Sequence, residues 1–122
     1  MNILAIDYGR KKIGLAWLQT GLDIVLPFGQ IQTKRFKYEL PKLIREERID
    51  KAIVGLPLGL KGEENENTKR VREFVDVIKE KVDIEVEFVD ERFTTVEAKR
   101  MEGSSSLDEK AAMLILQTYV KG

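Results

Sequence analysis

NILAID, at residues 2–7, is the stretch that decides the fold, because this nearly continuous apolar run ends in an acid. A strand that is buried on both faces of a sheet typically has this composition. Gly9 and three cations at residues 10–12 then form a tight connection to a second apolar strand, predicted at residues 13–19. The stretch therefore predicts a central strand with a carboxylate, Asp7, at its carboxyl end, where α/β folds place their ligands.

The remaining elements follow from hydrophobic periodicity and from turn residues. A third strand is predicted at residues 24–32, and Pro27 inside it indicates a bulge or an edge position. Pro41 moves the expected start of the first helix to about residue 38, because proline is tolerated in the first turn of a helix. The sequence then predicts a buried strand at 51–56, a helix at 67–82 and a half-exposed edge strand at 84–90. Capping boxes at Thr94 and Ser106 predict the starts of a short helix and of a final helix.

The predicted order of elements is three strands, a helix, a strand, a helix, a strand and two helices. An antiparallel meander followed by crossover units gives an α/β fold with a five-stranded mixed β-sheet and helices on both faces. The length of 122 residues fits one domain, residues 1–122, and an apolar fraction of 43% is sufficient for its core.

Two absences in the composition restrict the chemistry. The chain has no histidine and no cysteine, which excludes Ser-His-Asp and Cys-His catalysis, thiolate sites and His-ligated zinc. An enzyme of this composition depends on carboxylates, lysines, hydroxyls or a bound cofactor, and carboxylates select hard cations such as Mg²⁺ or Mn²⁺. The N-terminus lacks the features of a signal peptide, and no apolar run approaches the roughly 18 residues of a membrane span. We therefore expect a cytoplasmic protein with no membrane partner.

Three acids could form a metal site, although each also has an ordinary structural explanation. Asp7 fits a turn-initiating residue equally well, and Asp108 fits an acid that complements the dipole of the final helix. Asp90 and Glu91 fit a solvated strand end, and only one of them can face a site shared with Asp7. Glu91 is favoured if the strand is already ending, and Asp90 stays open. Together, Asp7, Glu91 and Asp108 could hold one or two Mg²⁺ or Mn²⁺ ions for phosphodiester hydrolysis.

Basic clusters are candidates for phosphate contacts, and each is also compatible with an ordinary solvated surface. The clusters are Arg10-Lys11-Lys12, Lys34-Arg35-Lys37, Lys69-Arg70-Arg72 and Lys99-Arg100. Arg10 and Arg92 are favoured because each lies within three residues of a proposed acid. We predict a nucleic-acid-binding set of Arg10, Lys11, Lys12 and Arg92.

Four motifs in order along the chain resemble those of the YqgF family, also called RuvX. The motifs are DYGRKKIGLA at residues 7–16, VGLPL at 54–58 followed by Gly62, VDERFTT at 89–95, and Asp108-x-x-Ala111-Ala112 leading into ILQTY at 115–119. The resemblance extends from residue 3 to about residue 120, and all four motifs at this chain length are highly specific.

The resemblance implies a fold similar to RuvC and RNase H, and therefore a single RNase H-like nuclease domain over residues 1–122. It implies an acidic triad of Asp7, Glu91 and Asp108, with Mg²⁺ or Mn²⁺ as cofactor. The implied activity is that of a hydrolase acting on structured nucleic acid, in the processing of the 5′ end of pre-16S rRNA. We expect RNA to be favoured over DNA, a ribosomal precursor particle as partner, and a monomer or weak homodimer.

Two alternative functions stay open at this point. A Holliday junction resolvase acting on four-way DNA would need a dimer to cut two symmetric strands, so oligomeric state and a junction assay discriminate it. A non-catalytic RNA- or ribosome-binding module would retain the fold without binding metal. An actin-like nucleotide hydrolase is disfavoured, because that architecture clamps its nucleotide between two domains.

Overall fold

The computed structural model describes residues 1–21, 24–91 and 107–121, apart from the side chains of Leu107, Asp108 and Lys121. The strands are β1 (Asn2–Tyr8), β2 (Lys12–Gln19), β3 (Val25–Gln32), β4 (Lys51–Leu56) and β5 (Glu85–Asp90). The helices are a 3-10 turn at Thr33–Arg35, α1 (Phe36–Glu46), α2 (Glu66–Lys81) and α3 (Leu107–Lys121). The capping boxes predicted at Thr94 and Ser106 lie outside the described residues.

The strands form one mixed sheet in the order β3-β2-β1-β4-β5. The first three strands are an antiparallel meander, whereas β1, β4 and β5 run parallel to one another. β1 is central, as the NILAID stretch predicts, and its residues 3–6 are all buried. The predicted five-stranded mixed β-sheet is confirmed, together with the edge positions of the third and fifth strands.

β3 contains the irregularity that Pro27 predicts. Its pairing with β2 passes from Gly14 opposite Gln30 to Ala16 opposite Pro27, so β3 carries one extra residue at this point. Gly29 lies in this bulge with a φ of 85°, a left-handed conformation that glycine adopts without steric cost. The N–H of Gly29 donates a hydrogen bond of 2.8 Å to Oε2 of Glu109 in α3. The bulge therefore connects the edge strand to the final helix.

Two hydrophobic clusters cover the two faces of the sheet. On one face, side chains from β1, β2 and β4 pack with α1 and α2, and Leu4, Ile6 and Phe74 are buried there. On the other face, Ile3 and Ala5 pack with α3. The alternation of side chains along β1 thus assigns odd-numbered residues to the α3 face, and the prediction of helices on both faces is confirmed.

The predicted start of the first helix is wrong by two residues. α1 begins at Phe36, directly after the 3-10 turn, so Pro41 lies inside the helix and not in its first turn. A proline there removes one backbone hydrogen bond. Pro41 is buried, as are Leu40 and Ile44 in the same helix, so its ring contributes apolar burial that opposes this loss.

None of the helices in residues 1–21, 24–91 and 107–121 combines the length and the apolar character that a bilayer crossing requires.

Candidate active site

The carboxyl ends of β1, β4 and β5 meet at one edge of the sheet because these strands are parallel. Asp7 lies near the end of β1, on the face that Ile3 and Ala5 share with α3. Val89 packs on the same face, and Glu91, two residues later, continues that alternation. The N–H of Glu91 donates to the carbonyl of Leu56 at 3.2 Å, which extends the strand pairing past the end of β5. The structure therefore brings Asp7 and Glu91 to the same edge and face.

The two carboxyl groups interact directly. The pKa of Glu91 is raised from its ordinary value of 4.5 to about 9, first by burial and then by the charge of Asp7 and a hydrogen bond with Asp7. The charge of Asp90 contributes in the same direction. Two close acids that are withdrawn from water cannot both ionise cheaply, so one of them retains a proton. Asp90 itself is exposed, and Glu91 is the residue that meets Asp7.

Gly55, at the end of β4, provides the space that the Glu91 carboxyl occupies. A Cβ atom at position 55 would lie 2.6 Å from Oε2 of Glu91 and 2.5 Å from Cδ1 of Ile115. Both distances are shorter than real Cβ contacts, so any side chain here would displace the acid or the helix. Because position 55 of the buried strand β4 is glycine, the carboxyl group of Glu91, which follows the neighbouring strand β5, can lie over it.

α3 packs closely on this face of the sheet. Ala111 and Ala112 are buried at the contact, as their small size predicts. The first turn of α3 is held to β3 by the hydrogen bond from the Gly29 N–H to Glu109. Asp108 belongs to the same first turn, while its side chain lies outside the described part of the structure.

A cleft of about 410 Å³ opens at this edge of the sheet. Asp7 and Glu91 line it together with Arg10, and Asn67 and Arg70 face it from α2. Nη1 of Arg70 donates to Oδ1 of Asn67 at 2.8 Å. The cleft thus combines a pair of acids with two cations, Arg10 from the β1–β2 turn and Arg70 from α2.

A second groove of about 380 Å³ adjoins the cleft through Arg10 and is lined by Lys11, Lys12, Gln32 and Lys34. The turn that presents these cations is tightly fixed. Oγ1 of Thr33 donates to the carbonyl of Gly9 at 2.7 Å, and a Cβ at Gly9 would lie 2.5 Å from the carbonyl oxygen of Lys12.

Arg10, Lys11 and Lys12, three of the predicted nucleic-acid-binding residues, therefore share one continuous surface. The fourth, Arg92, lies outside the described residues.

The sequence alone does not single out Arg70, Asn67 or Gly55 as site residues. In the sequence, Arg70 is one member of a basic cluster on a helix, and it joins the site because the start of α2 lies beside the strand ends. Gly55 carried a faint signal, because a glycine in a buried strand indicates a close approach by another group.

The described side chains contain no group of three or more acids placed to hold a metal ion. Asp7 and Glu91 form a pair, and the side chain of the predicted third acid, Asp108, is not among those described. The pair nevertheless has the oxygen donors that hard divalent cations prefer.

The architecture is that of the RuvC-like Holliday junction resolvases of the RNase H-like class. RuvC of T. thermophilus, in a structure with a Holliday junction substrate, matches with a TM-score of 0.70 and 13% identity, over 98% of this chain and 93% of RuvC. The fowlpox virus Holliday junction resolvase matches with a TM-score of 0.60 and 13% identity, over 98% and 97% of the two chains.

The chain belongs to the RuvX family, whose model, described as "Holliday junction resolvase", matches residues 1–122. A relative from Dictyoglomus turgidum, named "Putative pre-16S rRNA nuclease", is 38% identical over 98% of this chain and 94% of its own length. A relative of the same name from Bacteroides fragilis is 34% identical over 98% and 96%. The predicted membership of a family of nucleases, enzymes that hydrolyse phosphodiester bonds, is confirmed.

Proposed function

We propose that this protein is a divalent-metal-dependent endonuclease acting on structured RNA, with Asp7, Glu91 and Asp108 as its metal-binding acids. The observation that carries the proposal is the hydrogen-bonded pair of Asp7 and Glu91 in a cleft that also contains Arg10 and Arg70. The acids suit a cation, and the arginines suit the phosphate that the cation would act on.

The donor set fits Mg²⁺ or Mn²⁺. Asp7 and Glu91 would hold such a cation, whose positive charge would relieve the repulsion that keeps a proton on the pair, so binding would release that proton. Asp108, in the first turn of the helix that packs on this face, supplies a third carboxylate. When bound, such an ion would supply Lewis-acid stabilisation of the negative charge that develops on the phosphoryl group.

The basic residues hold and orient the substrate. Arg10 lies between the cleft and the neighbouring groove, so the groove lysines Lys11 and Lys12 hold the strand as it leaves the acids. Arg70 binds phosphate from the opposite wall, and Arg92 adds a further cation one residue from Glu91. Because phosphate contacts carry no sequence information, this set positions the backbone and leaves specificity to other features.

The names of the relatives support pre-16S rRNA as the substrate, and we propose processing of its 5′ end as the reaction. Such a substrate is presented on a ribosomal precursor particle in the cytoplasm, to a monomer or weak homodimer. A net charge of zero agrees with a substrate delivered by a larger particle, because the whole-molecule field gives little long-range attraction.

The decisive experiment compares the wild-type protein with Asp7→Asn on a pre-16S rRNA 5′ leader, with Mn²⁺ and with a chelator. We expect Mn²⁺-dependent cleavage by the wild type and a loss of at least about 100-fold in the variant, as befits removal of a group that acts on developing charge. The control, Asp76→Asn, changes an exposed acid on α2 and keeps full activity. Equal cleavage by Asp7→Asn and wild type, with unchanged circular dichroism, contradicts the proposal.

Two additions to this experiment, a second substrate and a metal titration, test the two alternative functions. The family description and the RuvC-like fold favour a four-way DNA junction as the second substrate to test. Cleavage of the junction and not of the RNA, by a dimer, assigns a resolvase. Absence of Mn²⁺ binding in a calorimetric titration, with RNA binding retained, assigns a non-catalytic module.

A further inference from the structure

Three aromatic side chains form a cluster beside the acid cleft. Tyr8 lies 4.6 Å from Phe74 between ring centroids, and Phe36 lies 4.9 Å from Phe74. Phe74 is buried, with 3% of its surface exposed, whereas Tyr8 and Phe36 are only half-buried. The cluster therefore has a closed base formed by Phe74 and keeps two partly open aromatic side chains at the surface.

A small pocket of about 180 Å³ opens over this cluster. Its walls are Tyr8, Phe36 and Phe74, with Arg70 and Glu73 as the charged members. A cavity of roughly 150 Å³ is sufficient to hold benzene, so the pocket matches one planar ring system and not a folded peptide segment. Arg70 provides hydrogen-bond donors and Glu73 provides acceptors for the polar edge of such a ring.

The pocket is continuous with the cleft that holds the acids. Tyr8 and Arg70 line both cavities, and Tyr8 follows Asp7 directly in β1. Because successive residues of a strand point to opposite faces, Asp7 faces the α3 side while Tyr8 faces the aromatic cluster. The end of β1 thus presents an acid to the cleft, and Tyr8 lies where the cleft and the pocket meet.

We propose that this aromatic pocket binds one unpaired nucleobase of the strand whose phosphate lies in the acid cleft. The inference rests on the proposed function, because it takes the occupant of the cleft to be a nucleic acid. Aromatic rings stack on any base, and Arg70, shared by both cavities, binds the connecting phosphate. The site selects a strand with an unstacked nucleotide near the cut and discriminates against a continuous duplex.

The experiment measures binding separately from cleavage. The probe is an RNA hairpin with a four-nucleotide single-stranded overhang, together with four versions that each lack one overhang base. Ca²⁺ replaces Mn²⁺, since it takes the same oxygen ligands, and gels verify that the RNA stays intact. We expect one abasic position to raise the Kd of the wild type by roughly 5- to 150-fold, the range of one base stacked on an aromatic side chain.

Phe36→Leu is the test variant, because leucine keeps an apolar contact with Phe74 and removes the aromatic face. In this variant we expect the ratio of the Kd of the abasic RNA to that of the intact RNA, the abasic effect, to fall to about one. The matched control is Tyr38→Leu in the same helix, whose side chain is 71% exposed and outside the pocket; it keeps the full effect. A 2-aminopurine at the sensitive position should be quenched by the wild type and by Tyr38→Leu, and not by Phe36→Leu.

Equal affinity for all abasic and intact RNAs overturns the pocket, and so does a full abasic effect in a folded Phe36→Leu variant. If the pocket instead binds an apolar side chain of a protein partner, the abasic and intact RNAs bind with equal affinity. Mn²⁺-dependent cleavage without base discrimination overturns the pocket alone, whereas base discrimination without cleavage overturns the nuclease proposal alone.

Discussion

At the scale of single residues, the site contains two acids that lie in contact where water is largely excluded. Asp7 and Glu91 share a hydrogen bond, and the pKa of Glu91 rises to about 9 through burial and the charge of Asp7. A pair arranged only for stability would have opposite charges, because two close acids cost folding free energy. Retaining such a pair is typical of a binding site whose ligand is a cation.

The first prediction concerns the stability of the metal-free protein as the pH changes. Glu91 has a pKa of about 9 in the folded state against about 4.3 in an unfolded chain. Below the lower value both states hold the proton, and above it the unfolded state gains free energy by releasing it. The wild type in chelator should therefore lose up to about 1.4 kcal/mol of unfolding free energy per pH unit between pH 5 and 9.

Glu91→Gln should remove this slope, because glutamine is always neutral. Urea unfolding at a series of pH values measures it, with Asp90→Asn as the control that keeps most of the slope. Adding Mn²⁺ to the wild type should also flatten the profile. A wild type and a Glu91→Gln variant with parallel profiles would refute the burial of a protonated acid here.

The second prediction concerns the glycine beneath the acid. Gly55→Ala places a methyl group 2.6 Å from Oε2 of Glu91 and 2.5 Å from Cδ1 of Ile115, in a packed region where neither can move freely. We expect a destabilisation of about 1–3 kcal/mol from overpacking and a loss of cleavage through displacement of Glu91. Gly59→Ala is the matched control, because the nearest atoms to its new methyl group belong to the exposed, flexible side chain of Glu63. Similar melting temperatures and rates for both variants would contradict this account.

At the scale of elements, α3 is attached to the sheet at both ends. Near its start, Glu109 accepts from the Gly29 N–H in the bulge of β3. Near its end, the hydroxyl of Tyr119 accepts from Nζ of Lys51 at 3.0 Å. The helix that carries Asp108 is therefore attached to the sheet near both of its ends, through β3 and β4.

The third prediction tests the attachment at the start of α3. Glu109→Ala removes the acceptor of the Gly29 N–H, which should cost about 1–2 kcal/mol, since a hydrogen bond to a charged group is lost. Hydrogen exchange should accelerate at residues 109–113, and kcat should fall while KM for RNA changes little. Glu109→Gln retains a carbonyl oxygen as acceptor, so its hydrogen exchange and kcat should be close to those of the wild type. An Ala variant with normal exchange and kcat would show that the attachment is irrelevant to the site.

The strands of this fold can be predicted from the sequence, whereas the start of α1 and part of the site cannot. The strands are predictable because their apolar runs reflect burial directly, and Pro27 indicates a bulge or an edge because proline has no N–H to donate to a ladder. The start of α1 is mispredicted because the burial of Pro41 depends on tertiary packing. The sequence predicts Arg70 only as one cation of a basic cluster and Gly55 only as a faint sign of a close approach, since their places in the site depend on distances between segments far apart in the chain.

At the scale of the whole molecule, charge is balanced overall and separated locally. The net charge is zero, yet the groove beside the cleft is lined by Arg10, Lys11, Lys12 and Lys34. Coulombic interactions of exposed groups decay over a Debye length of about 8 Å in physiological salt. A strand that lies in the groove therefore interacts with the local cations and not with the acids elsewhere on the surface.

The last prediction follows from this separation. Each phosphate neutralised by a cation adds roughly 0.7 to 0.9 to the slope of log K against log salt concentration. The double variant Lys11→Ala/Lys12→Ala should therefore lower the slope for RNA binding by about 1.4–1.8, the sum for two phosphates. The control, Lys79→Ala/Lys81→Ala, removes two lysines from the last turn of α2, far from the residues of that helix that face the cleft. Because both variants change the net charge equally, a drop in slope confined to the groove variant assigns binding to the local surface. Equal slopes for the two double variants would instead mean that binding follows net charge and that the groove has no special role.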